Sequence, residues 1–199
     1  MRKYALCNIL VLLTLYSCTP TKPFQYVYKM TKPQISESTK FEDDKVIFDF
    51  KMNETDVYFK LSNKTEKPLK IIWDEASLVN QGEAQKVIHK NVKFIDSEKS
   101  QSLTVIPPGA YVSEVIQPID DINFDRKTYS WSKKSFLPPL GLSTNKKYVD
   151  NKLKPLIGRK FNIYIPVQFE EKTLEYYFEV EVSDIRHITK KSNVSIMAE

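Results

Sequence analysis

The strongest constraint on the fold is a pair of alternating segments in the later part of the chain. In FNIYIPVQF, every second residue from Phe161 to Phe169 is apolar, and the same period returns in LEYYFEVEVS from Leu174 to Val182. A period of two places successive side chains on opposite faces of a β-strand. The EEKT between them is short and polar, so the two segments predict an antiparallel hairpin.

Further alternating segments extend this pattern over most of the chain. KVIFDFK and TDVYFKLSN each place apolar residues on one face, and FQYVYKM is rich in aromatic residues. LKIIW ends in Trp73, which we expect to anchor the core. Pro166 falls among the outward-facing positions of its segment and has no N–H to donate, which predicts an edge strand or a bulge. Many short strands without a convincing long helix predict an all-β fold, an antiparallel β-sandwich of immunoglobulin-like arrangement.

The alternation fades between residues 117 and 159, in a stretch that contains YSWSKKSFLPPLG and TNKKYVDNKLKPLIGRK. A segment of this length without strand pattern, inside a compact domain, is typical of a functional loop. We therefore expect a sandwich over 24–184 that carries a 117–159 loop insertion with a short helix near 146–153, followed by a flexible tail over 185–199. Deletion of 123–157 is predicted to leave a folded domain.

The amino terminus has the form of an export signal. MRKY supplies two positive charges, and ALCNILVLLTL is an apolar run too short to span a membrane. The following LYSC, Leu15 to Cys18, resembles the lipobox of bacterial lipoproteins. This resemblance implies that residues 1–17 are a signal peptide, that cleavage falls between Ser17 and Cys18, and that the Cys18 thiol carries lipid. An ordinary signal peptide with an incidental cysteine is the alternative.

The lipobox resemblance implies an address in the cell envelope. Several acyl chains on Cys18 would hold the protein at a bilayer, since one chain alone holds it only marginally. The tether over 18–23 contains TPTKP, which in extended form reaches only about 15 Å. Thr19 follows the cysteine where an aspartate often means inner-membrane retention in Gram-negative lipoproteins, so the outer membrane, facing the periplasm, is the expected location.

Composition argues against several kinds of chemistry. Cys7 leaves with the signal peptide and Cys18 is assigned to lipid, which leaves the mature domain without a cysteine nucleophile or a cysteine zinc site. His89 and His187 stand in no metal-ligand spacing, and no G-x-S-x-G elbow occurs. The calcium-loop-like DDINFD lacks the glycine and glutamate of an EF-hand. We therefore predict no catalytic residue, no metal and no cofactor.

The 117–159 region supplies the candidate contact residues for a partner. They are aromatic or basic side chains in an otherwise polar stretch: Tyr129, Trp131, Phe136, Lys146 and Lys147. In the alternative interpretation, the apolar residues cover the end of the core, and the lysines lie on a surface that faces solvent or lipid. The predicted function is a non-catalytic envelope protein that binds another envelope component. The alternative is a glycan-binding module or an envelope hydrolase, and nucleic acid is not an expected partner.

Overall fold

The computed structural model describes residues 24–140 and 146–187. The strands within these residues, in chain order, are β1 (Phe24–Lys32), β2 (Lys40–Glu42), β3 (Val46–Met52), β4 (Val57–Asn63), β5 (Leu69–Ile71), β6 (Ser77–Asn80), β7 (Glu83–His89), β8 (Thr104–Ile106), β9 (Tyr111–Pro118), β10 (Ile122–Asp125), β11 (Ser130–Lys133), β12 (Lys160–Phe169) and β13 (Lys172–His187). Short 3-10 turns lie at Trp73–Glu75, Phe94–Asp96 and Ile119–Asp121.

The strands form two layers that share one strand. One layer has the order β1-β13-β12-β6, with β5 and β8 continuing from β12, and the other has the order β9-β4-β3-β2. Strand β7 joins them, because residues 83–86 pair with β6 and residues 87–89 pair with β9. The predicted all-β class is confirmed as an antiparallel sandwich that approaches a closed barrel. The immunoglobulin-like arrangement is a finer prediction and stays one.

The hairpin predicted from the strongest alternation is present. β12 and β13 pair antiparallel from Lys160↔Glu181 to Phe169↔Lys172. The inward set of both strands belongs to the core, where the ring of Phe178 lies 4.9 Å from that of Phe48 and 4.8 Å from that of Phe50. Trp73 is fully buried, as predicted, and its indole N–H donates to Thr104 Oγ1 at 2.8 Å. The alternating pattern therefore identified the faces that form the core.

Pro166 lies in the interior of the sheet, so the prediction of an edge strand or a bulge is wrong. β12 pairs with β13 on one side along its length, and on the other side with β6 over residues 161–164 and with β5 over residues 167–169. Pro166 sits in the gap between these two partners, where its carbonyl accepts a hydrogen bond from the Ile72 N–H at 3.0 Å. The backbone nitrogen of Pro166 points into the same gap, where no partner strand lies. The absence of an N–H therefore costs the ladder no hydrogen bond.

The 117–159 region is a mixture of a surface hairpin and core structure. β10 and β11 form a separate two-stranded sheet, but Phe136 and Leu137 are buried in the main core. The predicted short helix is present as consecutive turns, α-helical over Lys146–Tyr148, π-helical over Val149–Leu153 and 3-10 over Lys154–Leu156. Its Val149 and Leu153 also join the core. The expectation that 123–157 can be deleted from a folded domain therefore conflicts with the packing.

The carboxyl-terminal boundary of the domain is later than predicted. β13 continues to His187, where it pairs with Phe24 of β1, so residues 185–187 belong to the sheet. The predicted signal peptide, Ser17, the lipidated Cys18, the tether up to residue 23 and the remainder of the predicted tail lie outside the described residues. Within the described ranges, no helical segment has the length and apolar character required to cross a membrane.

Candidate ligand-binding groove

An open groove of about 670 Å³ lies on the outer face of β4, β9 and β7. The strands supply its floor, the β10–β11 hairpin supplies one wall, and the loop after β7 supplies the other. Its volume falls within the range typical of ligand sites. We call it the aromatic groove, and the residues that define it are Asp56, Tyr58, Phe94, Gln117, Trp131 and Lys133.

The alternation of β4 explains why an aromatic ring lies on the floor. Val57, Phe59 and Leu61 point into the core, so Tyr58 must point outward, and 39% of its surface remains exposed. In the β4–β9 ladder Tyr58 is opposite Val115, which lies on the same outer face. The floor is therefore an aromatic and aliphatic surface that faces solvent.

Trp131 lies on the wall formed by the hairpin. It is opposite Phe124 in the β10–β11 ladder, and the two ring centroids are 5.0 Å apart. The ring of Phe94, on the opposite wall, meets Trp131 edge-on at 5.8 Å. These contacts connect the hairpin to the loop after β7 and leave 41% of Trp131 exposed. An exposed aromatic ring in such a position can stack on a ligand.

An ion pair between the buried carboxylate of Asp56 and the exposed Lys133 closes one end of the groove. Lys133 Nζ lies 3.0 Å from Asp56 Oδ1, and the amide of Gln117 donates to the same carboxylate. Burial acts to raise the pKa of Asp56, but hydrogen bonds from Lys133 and Thr55 and the charge of Lys133 outweigh it, so the pKa lies below its ordinary value. The stabilisation from this pair is therefore present at neutral pH and is lost as the pH falls through that lowered pKa.

Beneath the groove, on the core side of the sheet, lies a second polar pair. His89 stacks on Trp73 with a centroid distance of 4.5 Å, and its Nδ1 lies 3.6 Å from Glu114 Oε2. Lys90 Nζ lies 3.9 Å from the other oxygen of Glu114. Both His89 and Glu114 are buried. The pair lies between β7 and β9, where it supports the floor of the groove.

The structure separates the five predicted contact residues. Tyr129 lies at the tip of the hairpin with 82% of its surface exposed, and Trp131 lines the groove. Phe136 is only 7% exposed and packs against Phe161, so its predicted contact role is corrected to a core role. Lys146 and Lys147 begin the helical segment, which contributes no residue to the groove. The side chain of Lys147 is exposed.

Sequence reasoning missed most of the groove. Asp56, Phe94, Gln117 and Lys133 lie in four separate parts of the chain and carry no motif. Tyr58 had a usable signal, because the alternation of β4 places this aromatic residue on the outward face. An outward-facing aromatic residue indicates an interaction surface where it forms part of a larger exposed apolar patch.

Residues 24–140 and 146–187 contain no group of three or more His, Cys, Asp or Glu side chains that could hold an ion.

In comparisons with known proteins, no family model, no curated protein and no solved structure matches this chain.

Proposed function

We propose that the chain is a lipid-anchored protein of the bacterial cell envelope whose β-sandwich binds another envelope component without catalysing a reaction. The observation that carries the binding role is the aromatic groove, where Trp131 and Tyr58 remain exposed beside the ion pair of Asp56 and Lys133. Exposed aromatic side chains around a concave surface are typical of binding sites. The anchor is supported by the lipobox-like Leu15 to Cys18 alone.

Replacement of Cys18 by serine is expected to release the protein from the membrane fraction, because serine has no thiol to accept a diacylglycerol. The measurement is fractionation of cells that express the parent or the Cys18→Ser variant, together with mass spectrometry of the parent for acyl groups. Cys7→Ser is the matched control and is expected to leave the membrane fraction unchanged. Equal sedimentation of Cys18→Ser and parent, with no acyl group on the parent, contradicts the anchor.

Replacement of Trp131 by alanine is expected to weaken capture of the envelope component about tenfold or more, because truncation of an aromatic anchor commonly costs about 2 kcal/mol of binding free energy. A photo-crosslinking amino acid at Ile95, which lines the groove and is 75% exposed, reports occupancy in intact cells. Tyr177→Ala is the control, since Tyr177 is similarly exposed on β13, away from the groove. An unchanged crosslink yield in Trp131→Ala removes the groove as the binding site.

The glycan-binding alternative has one observation in its favour. The floor strands β4 and β9 are each paired on both sides, so the floor of the groove presents side chains and no free strand edge to an extended peptide. Aromatic rings beside amide and carboxylate groups are suited to sugar rings, which have apolar faces and hydroxyl edges. A saccharide-bearing envelope component therefore agrees with the floor of the groove better than a peptide strand added to β4 or β9 does.

A further inference from the structure

The surface around the aromatic groove carries an excess of positive charge. A second depression of about 480 Å³ adjoins the groove and shares Tyr58, Lys90 and Val115 with it. Together the two depressions are lined by five lysines and three carboxylates, namely Lys51, Lys60, Lys90, Lys93, Lys133, Asp49, Asp56 and Glu114. The continuous surface is therefore elongated and net cationic.

The positive charges differ in how far they are already neutralised. Lys133 is paired with Asp56, and Lys90 lies near Glu114, so the two buried carboxylates are balanced within the protein. Lys51 and Lys93 are exposed and form no salt bridge with another described residue. Charges of this kind at the rim of a site attract a ligand of opposite sign. They favour an anionic occupant.

The floor between these lysines determines the other properties of the ligand. Tyr58 on the floor and Trp131 on the adjoining wall offer their rings to flat apolar faces, and Asp56 and Gln117 lie beside them. A lipid acyl chain would offer no hydrogen bond to the side-chain oxygen of Gln117, which has no partner among the described residues. A peptide would find no strand edge on β4 or β9, which are paired on both sides. A chain of sugar units offers apolar faces to the aromatic rings and hydroxyl groups to the polar side chains.

We infer, on the basis of the proposed function, that the groove and its neighbouring depression bind an acidic saccharide, a sugar chain that carries carboxylate or phosphate groups. Trp131 and Tyr58 stack on sugar rings, and Lys51 and Lys93 contact the anionic groups. The ligand lies across the outer face of β4 and β9. Because exposed ion pairs are screened by salt, the affinity falls as ionic strength rises.

The test uses the full-length protein in detergent and follows its tryptophan emission. The chain has two tryptophans, Trp131 in the groove and Trp73 in the core, so a ligand that stacks on Trp131 changes the emission. The probes are oligogalacturonate and phosphorylated oligomannose, and the matched neutral probes are methyl-esterified oligogalacturonate and unmodified oligomannose. Oligoglutamate and vesicles of phosphatidylglycerol represent acidic peptides and anionic lipid.

We expect saturable binding of at least one acidic saccharide and binding at least tenfold weaker for its neutral counterpart. The double variant Lys51→Gln/Lys93→Gln is expected to weaken that binding about tenfold, since it removes two exposed positive charges that contact the anionic groups. The double variant Lys152→Gln/Lys172→Gln removes the same charge from exposed sites outside the groove and is expected to bind as the parent does.

Other outcomes overturn the inference in distinguishable ways. Equal affinity for neutral and acidic saccharides, or unchanged affinity in Lys51→Gln/Lys93→Gln, removes the role of charge. Stronger binding of oligoglutamate or of the vesicles replaces the saccharide by a peptide or a lipid. If no acidic saccharide binds while the in-cell crosslink still depends on Trp131, the ligand class is wrong and the proposed function stands. If that crosslink is also independent of Trp131, both fail.

Discussion

Replacement of Phe178 by alanine is expected to destabilise the domain by about 3–5 kcal/mol, the usual cost of removing a buried phenylalanine ring. Phe178 is fully buried on β13, and its ring contacts Phe48 and Phe50 from the opposite layer. The ring of Phe41 lies 5.4 Å away on the same cluster. Alanine would remove the contacts to these three rings and to the ring of Tyr176, at the place where the two layers of the sandwich meet.

The measurement for Phe178 is urea unfolding followed by circular dichroism. Tyr177→Ala is the matched control, because the neighbouring Tyr177 points outward and is 43% exposed. We expect this variant to lose much less stability than Phe178→Ala. Since small domains are stable by only about 5–15 kcal/mol, the Phe178 variant is expected to lose a large share of the total. Equal losses for the two variants would contradict the packing of β13 described above.

Replacement of Leu153 by alanine is expected to destabilise the domain by about 2–5 kcal/mol. Leu153 is fully buried at the end of the π-helical turn and belongs to the main core cluster. The change is expected to lower the midpoint of unfolding of the whole domain in a single transition, because the helical segment and the sandwich share one core. The result distinguishes a core element from a removable loop.

Lys152→Ala is the control for Leu153. Lys152 precedes Leu153 on the same turn and is exposed, so its replacement is expected to change the free energy of unfolding by less than about 0.5 kcal/mol. Thermal unfolding of both variants measures this difference in stability. If Leu153→Ala unfolds at the same temperature as the parent, the helical segment is dispensable, as the fading alternation of 117–159 led us to expect.

The predictability of each strand depended on whether one face is buried. β3, β4, β12 and β13 have an apolar face and a polar face, and the alternation in the sequence revealed them. β10 and β11 were missed, because β11 is exposed at every position and β10 at all but its first. A strand without a buried face has no need to alternate, so the local pattern carries no sign of it.

The candidate site was predicted in part, for a similar reason. Trp131 was identified as an exposed aromatic residue in a polar region, and it lines the groove. Phe136 had the same local appearance, yet it is buried against Phe161. The composition around the two residues is alike, and the difference lies in what covers them. Tyr58 and Gln117 are distant in the sequence and share a floor only because β4 pairs with β9.

The amino-acid sequence by itself determined that this chain forms antiparallel strands with a shared core, because hydrophobic alternation is a local property that each segment carries alone. Tertiary structure decided that β7 joins both layers, that Pro166 fits a gap between two partner strands, and that Leu153 belongs to the core. It also created the groove. These features depend on which segments become neighbours, and that choice follows from the burial of the whole apolar surface at once.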